Sequence, residues 1–228
     1  MKWIKSVLVT IFLLMFFFPS LVVAETNYTH QSISDWLYKP KIWTNAAAQV
    51  LWADGTNYNS LTLYNGQAQT LTNNCKNGAA DFNDHGQSAW IETDGQVYFF
   101  DGKTTIKITT EAVTAWNLSM NQNGDVAWDA NDETGSRNIY LYNGRHTTRI
   151  SSSGVNGQPQ LSDKGDVAWI HADWDGSSLS DFEIQYFDGR RTQQLTFNEV
   201  NDDYLRIASS GQLVWLSFND DDTEVFYL

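Results

Sequence analysis

The strongest constraint on this chain is a tryptophan that returns about every forty residues, the period of a supersecondary unit that cannot bury its own two faces. It stands at positions 52, 90, 128, 169 and 215, after small or apolar pairs such as Val126-Ala127 and Val167-Ala168. A second marker follows in the first four copies: Tyr64-Asn65-Gly66, Phe100-Asp101-Gly102, Tyr142-Asn143-Gly144 and Phe187-Asp188-Gly189. Asn-Gly and Asp-Gly between alternating apolar runs point to hairpins closed by type I′ turns, in which both central residues take positive φ.

The fourth copy displays the unit. Residues 159–162 read as strand one, Asp163-Lys164-Gly165 as a turn, 166–170 as strand two, 183–187 as strand three and 192–196 as strand four. Each run is short and either alternates or is rich in β-branched and aromatic residues. Four antiparallel strands at this period make a propeller blade, and the tryptophans belong in the packing between blades. The expected fold class is therefore all-β, a five-bladed β-propeller of four-stranded antiparallel blades over residues 25–228. The blades fall at about 41–72, 80–109, 117–151, 159–196 and 204–228. The fifth copy stops after three strands, while His30-Gln31-Ser32-Ile33-Ser34 resembles the ends of strands four. Residues 29–34 are thus expected to complete the last blade and close the ring, which removes the open sheet edges. The competing account is that the chain is the front part of a longer propeller.

The run Pro159-Gln160-Leu161-Ser162-Asp163-Lys164-Gly165-Asp166-Val167-Ala168-Trp169 resembles blades of bacterial secreted propellers of the TolB and WD40-like kind. The likeness covers nearly all of residues 29–228, and the blade count is similar to that of the tachylectin-type sugar-binding propellers. The matched positions are structural. The resemblance implies a fold and carries over no functional residues.

Lys2 and Lys5 precede an apolar run over residues 7–18, and Val22-Val23-Ala24 supplies small residues before Glu25. Residues 1–24 therefore read as an export signal, which places the mature chain in the periplasm or outside the cell with no membrane insertion after cleavage. An uncleaved anchor is the alternative. Acidic residues number 27 against 14 basic ones, a formal net charge of −13. That balance argues against nucleic acid as a partner, because phosphates are repelled at long range. Cys75 is the single cysteine, so no intrachain disulfide is available and packing alone must hold an exported fold. A monomer is expected.

In an up-and-down blade the loop between strands two and three emerges on the same face as the link to the next blade. Most of the acidic residues fall on that face, including Asp54, Asp94, Asp129, Asp132, Asp173, Asp175, Asp181, Asp220 and Asp222. Tyr58, Trp116, Trp174, Phe197, Tyr204 and Phe218 lie there too. Aromatic platforms beside carboxylates and amides suit a sugar, whose ring face stacks while its hydroxyls are hydrogen-bonded. The candidate ligand-binding set is Asp54, Tyr58, Asp94, Trp116, Asp129, Asp132, Trp174 and Phe218. Asp173 with Asp175, and Asp220 with Asp222, form two Asp-rich stretches that could supply oxygen ligands to Ca2+, though neither has EF-hand spacing. No phosphate loop, nucleophile elbow or HExxH occurs. His171, beside Asp173 and Asp175, is the one candidate acid or base, set against a plain solvent-exposed histidine.

The expected function is a non-catalytic binding propeller whose acidic, aromatic face recognises a glycan, a cation-bridged ligand or a basic protein partner. The alternatives are a carbohydrate-active enzyme of the polysaccharide-lyase or glycosidase type, and a TolB-like envelope scaffold.

Overall fold

A computed structural model describes residues 40–228, apart from 111–112, 152, 174–176 and 220–221. The export signal and the closing strand at residues 29–34 lie outside the described residues. Five consecutive antiparallel sheets succeed one another along the chain. The first is Lys41–Thr44 (β1), Val50–Asp54 (β2), Ser60–Tyr64 (β3) and Ala68–Thr72 (β4). The second is Cys75–Phe82 (β5), Ser88–Glu92 (β6), Val97–Phe100 (β7) and Thr105–Lys107 (β8). The third is Thr114–Met120 (β9), Val126–Asn131 (β10), Arg137–Tyr142 (β11) and Thr147–Arg149 (β12). The fourth is Val155–Leu161 (β13), Val167–Ala172 (β14), Glu183–Phe187 (β15) and Thr192–Gln194 (β16). The fifth holds Asn201–Ile207 (β17), Leu213–Phe218 (β18) and Thr223–Tyr227 (β19), so it has three strands among the described residues, with β19 at its edge.

Alternation along strand two explains why the sheets stack. On β10, Val126, Trp128 and Ala130 pack onto Ala89, Ile91, Val97 and Phe99 of the preceding sheet. Ala127, one residue out of phase, packs with Ile139 onto Leu161, Val167 and Trp169 of the following sheet. Both faces are thus apolar and both are covered, as a period of two requires. Trp90, Trp128 and Trp169 are almost completely buried. Trp90 lies directly across the ladder from Tyr98 and Trp128 from Tyr140, with ring planes tilted by 14° in each pair. Trp215 does the same on Phe226. In the fourth sheet the partner position is Gln185, and Trp169 instead donates Nε1–H to Asn156 Oδ1 at 2.9 Å.

The turns between strands one and two tie neighbouring sheets together. Asn45 Nδ2 donates to the Asn83 carbonyl at 2.7 Å, Asn83 to Asn121 at 3.2 Å, and Asn121 to Ser162 at 3.0 Å. A second row runs beside it: Ala46 N–H donates to Asp84 Oδ1, Asp84 N–H to Gln122 Oε1 and Gln122 N–H to Asp163 Oδ1. Such bonds satisfy turn groups that would otherwise be buried without partners.

The turns between strands three and four differ from the expected type I′. Gly66, Gly102, Gly144 and Gly189 have positive φ, but Asn65, Asp101, Asn143 and Asp188 do not. In three of them the acidic or amide side chain caps a longer turn. Asp101 Oδ1 accepts from the N–H groups of Lys103 and Thr104, Asn143 Oδ1 from those of Arg145 and His146, and Asp188 Oδ1 from those of Arg190 and Arg191. These backbone donors hold the Asp101 and Asp188 carboxyls below the usual carboxylate range.

Candidate functional site

Strand one of the fourth sheet starts at Val155, four residues ahead of its expected start, and the extra length is interrupted. In the second to fifth sheets the pairing of strand one with strand two shifts, stepping over residues 76–79, Trp116, residues 158–159 and residues 204–205. Asn77, Gln158 and Tyr204 adopt positive φ at +52°, +56° and +54° in these irregularities. A bulge leaves residues unpaired and re-aims their side chains. Here it leaves Trp116 48% exposed beside buried Ala115, and Tyr204 61% exposed beside buried Leu205.

Trp116 stands between two open clefts. One, about 520 Å³, is walled by Asn131, Ser136, Arg137 and Val155 with Trp116 at its margin. The other, about 390 Å³, runs past Lys41, Lys76, Asn77 and Asn117 to the same indole. The Lys76 ammonium sits 4.0 Å from the centroid of the Trp116 ring and donates to the Ala115 carbonyl at 2.9 Å. Burial lowers the Lys76 pKa from its ordinary value, with Asp129 opposing and Arg137 adding to the shift. Lys41 extends over Tyr58 at 5.1 Å and donates to the Asn77 carbonyl at 2.6 Å.

Asp129 was expected on the surface of the acidic face and is instead 0% exposed. It shares the face of β10 that turns toward the fourth sheet, and Arg137 on β11 neutralises it there through Nε and Nη2. Asn117 Nδ2 adds a bond at 3.0 Å. Burial raises the Asp129 pKa against these stabilising partners. Its carboxylate therefore fixes Arg137 and Asn117 at the cleft and is not available to a ligand.

The other expected site residues scatter. Asp54 is half-buried at the end of β2, and Tyr58 lies in a 3-10 turn over Thr56–Tyr58. Asp94 is exposed and accepts from Gln96 N–H. Asp132 closes its own loop, accepting from Thr134, Ser136 and Asn138, and these bonds hold its carboxyl low. Phe218 packs on Tyr204, centroids 5.8 Å apart, beside Asp181, Glu199 and Asn201 in a separate cleft of about 410 Å³. Trp174, Asp175 and Asp220 lie outside the described residues. Of the candidate calcium ligands, Asp173 is exposed, and Asp222 is spent on the turn, where its Oδ1 accepts from Thr223 N–H. Among the described residues no three His, Cys, Asp or Glu side chains converge as a metal site would require.

His171 is buried, contrary to the exposed placement weighed from sequence. Its Nδ1 is 3.0 Å from Asn156 Oδ1, and its Nε2 is 3.4 Å from Asp173. Asn156 joins His171 to Trp169, so the imidazole is built into the sheet.

Solved structures share this arrangement. The putative TolB from Agrobacterium tumefaciens matches over 83% of this chain and 76% of that one, with 15% identity and a TM-score of 0.56. An oligogalacturonate lyase in complex with manganese matches over 84% of this chain and 62% of that one, with 11% identity and a TM-score of 0.61. TolB from Acinetobacter baumannii matches over 83% of this chain and 52% of that one, with 16% identity and a TM-score of 0.53. The fold is that of a β-propeller. No protein-family model matches the sequence, and no curated protein is similar to it. Identities this low establish the propeller architecture and leave its activity to be argued from the site. Among the described residues no helix of this propeller is long and apolar enough to cross a membrane.

Proposed function

We propose that the chain is a non-catalytic, exported binding propeller that takes a glycan on the surface around Trp116. One observation carries the reading: a bulge in β9 holds an indole 48% exposed between two clefts lined by amides and hydroxyls. A large flat ring costs free energy when left in water, and a sugar ring offers it a complementary apolar face while Asn117, Asn131 and Ser136 meet hydroxyls. His171, on which an enzymatic reading rested, is buried and held on Asn156 within the sheet, outside the linings of the Trp116 clefts. The matched propellers include TolB proteins and a lyase, so architecture does not choose between binding and catalysis.

The test is calorimetric titration with a panel of neutral and acidic oligosaccharides. Trp116→Ala should weaken every saccharide that binds by about tenfold or more, the equivalent of about 1.4 kcal/mol. Unchanged affinity for all of them would remove Trp116 from the site.

A further inference from the structure

The charge around Trp116 is opposite to that of the chain. Acidic residues outnumber basic ones by 27 to 14 over the whole sequence. Yet among the described residues no acidic side chain lines either cleft, while Lys41, Lys76 and Arg137 do. Of the nearby carboxylates, Asp129 is fully buried behind Arg137, and Asp132 is engaged by Thr134, Ser136 and Asn138. Asp129 takes two guanidinium nitrogens, Nε and Nη2, of a five-donor group, and the Arg137 side chain remains 31% exposed in the lining of the cleft. Lys76 is held similarly: one of three ammonium donors goes to the Ala115 carbonyl and the indole face supports the charge from below. Two cations are thus held beside an exposed aromatic ring before any ligand arrives, Lys76 on the ring itself and Arg137 in the cleft it borders, which lowers the ordering cost of binding. By contrast, the cleft beside Phe218 carries Asp181 and Glu199 in its lining.

We propose that the glycan taken at Trp116 is an acidic one, with a uronate ring stacked on the indole and its carboxylate set between Lys76 and Arg137. This rests on the glycan-binding reading above and adds the charge of the ligand. Charge-assisted hydrogen bonds to a carboxylate are about twice as strong as neutral ones, and an anion is drawn to clefts lined by cations.

The experiment titrates the full chain, as secreted, with hexamers of galacturonate, glucuronate and mannuronate and with the matched neutral hexose oligomers, at low and at high salt. At least one uronate hexamer should bind at least about tenfold more tightly than its neutral counterpart, with the preference shrinking as salt screens the pair. Lys76→Gln should reduce that preference by about tenfold. Arg137→Lys, which keeps a charge on the buried Asp129, should reduce it as well. Equal affinity for acidic and neutral hexamers, or a preference that survives Lys76→Gln, overturns the acidic assignment while the Trp116 platform stands. If no saccharide of either kind binds, or if binding ignores Trp116→Ala, the platform reading falls and the acidic assignment with it.

Discussion

Arg137 on β11 places its guanidinium on the carboxylate of Asp129, which is wholly buried on the adjacent β10. Removing one partner of such a pair strands a charge in a medium that cannot solvate it. Arg137→Ala should therefore destabilise the fold by about 3–5 kcal/mol. Asp129→Asn combined with Arg137→Ala should recover much of the loss, because neither buried charge then remains. Thermal unfolding of the single and double variants decides it, and a single variant that melts with the wild type would show that Asp129 is already neutral.

The belt of strand-one turns has a gap in the fifth sheet. Asn83 Oδ1 accepts from His85 and Gln87 N–H, Asn121 Oδ1 from Asn123 and Asp125 N–H, and Ser162 Oγ from Lys164 and Asp166 N–H. Ala208 makes the same backbone turn, with Gly211 N–H donating to its carbonyl at 2.8 Å, but has no side-chain acceptor. Ala208→Asn supplies one for the N–H groups of Ser210 and Gln212. The expected gain is about 1 kcal/mol, the net value of an ordinary hydrogen bond. Read as a melting temperature, that is a rise of about 2–4 °C, and a fall would show that the fifth turn is built differently.

Glu183 Oε2 and Asp202 Oδ1 are buried and have no hydrogen-bond partner among the described residues. Burial pushes the Glu183 carboxyl above its ordinary value, and Asp202 and Asp181 push it the same way. A carboxyl with a higher pKa folded than unfolded binds its proton more tightly in the folded state. Its penalty is therefore largest above the raised pKa and disappears as pH falls through it into the ordinary carboxylate range. Glu183→Gln should raise the melting temperature at neutral pH and narrow the difference from wild type on mild acidification. A variant that melts lower than wild type at neutral pH would show that the charge is compensated.

Cys75 is buried, and that burial pushes its thiol up to about 11. The thiolate is the reactive species, so alkylation of the native protein at mildly alkaline pH should be slow and become fast only on unfolding. The labelling rate then measures opening of the contact between the first two sheets, where Cys75 packs with Leu51, Leu61 and Trp90. Rapid labelling of the folded chain would place that contact among the loosest in the molecule.

Much of the architecture was legible from local chemistry. The tryptophan spacing located strand two of every sheet, and the Asn-Gly and Asp-Gly pairs located the turns, because periodicity and glycine conformation are properties of neighbouring residues in the chain. The turn type was misjudged where side-chain capping by Asp101 or Asp188 competed with the type I′ geometry. The site was another matter. That Trp116 emerges on a bulge depends on the register between β9 and β10. Asp129 is buried because Arg137, two residues along the adjacent β11 from its ladder partner Ile139, closes over it against the fourth sheet. A count of acidic residues by loop therefore predicted an acidic surface where Lys41, Lys76 and Arg137 line the clefts. The repeat and the strands were determined by the sequence alone, through rules that act over a few residues. The sign of the charge at the site was decided only by the tertiary structure, because burial and ion pairing depend on which residues the fold brings together.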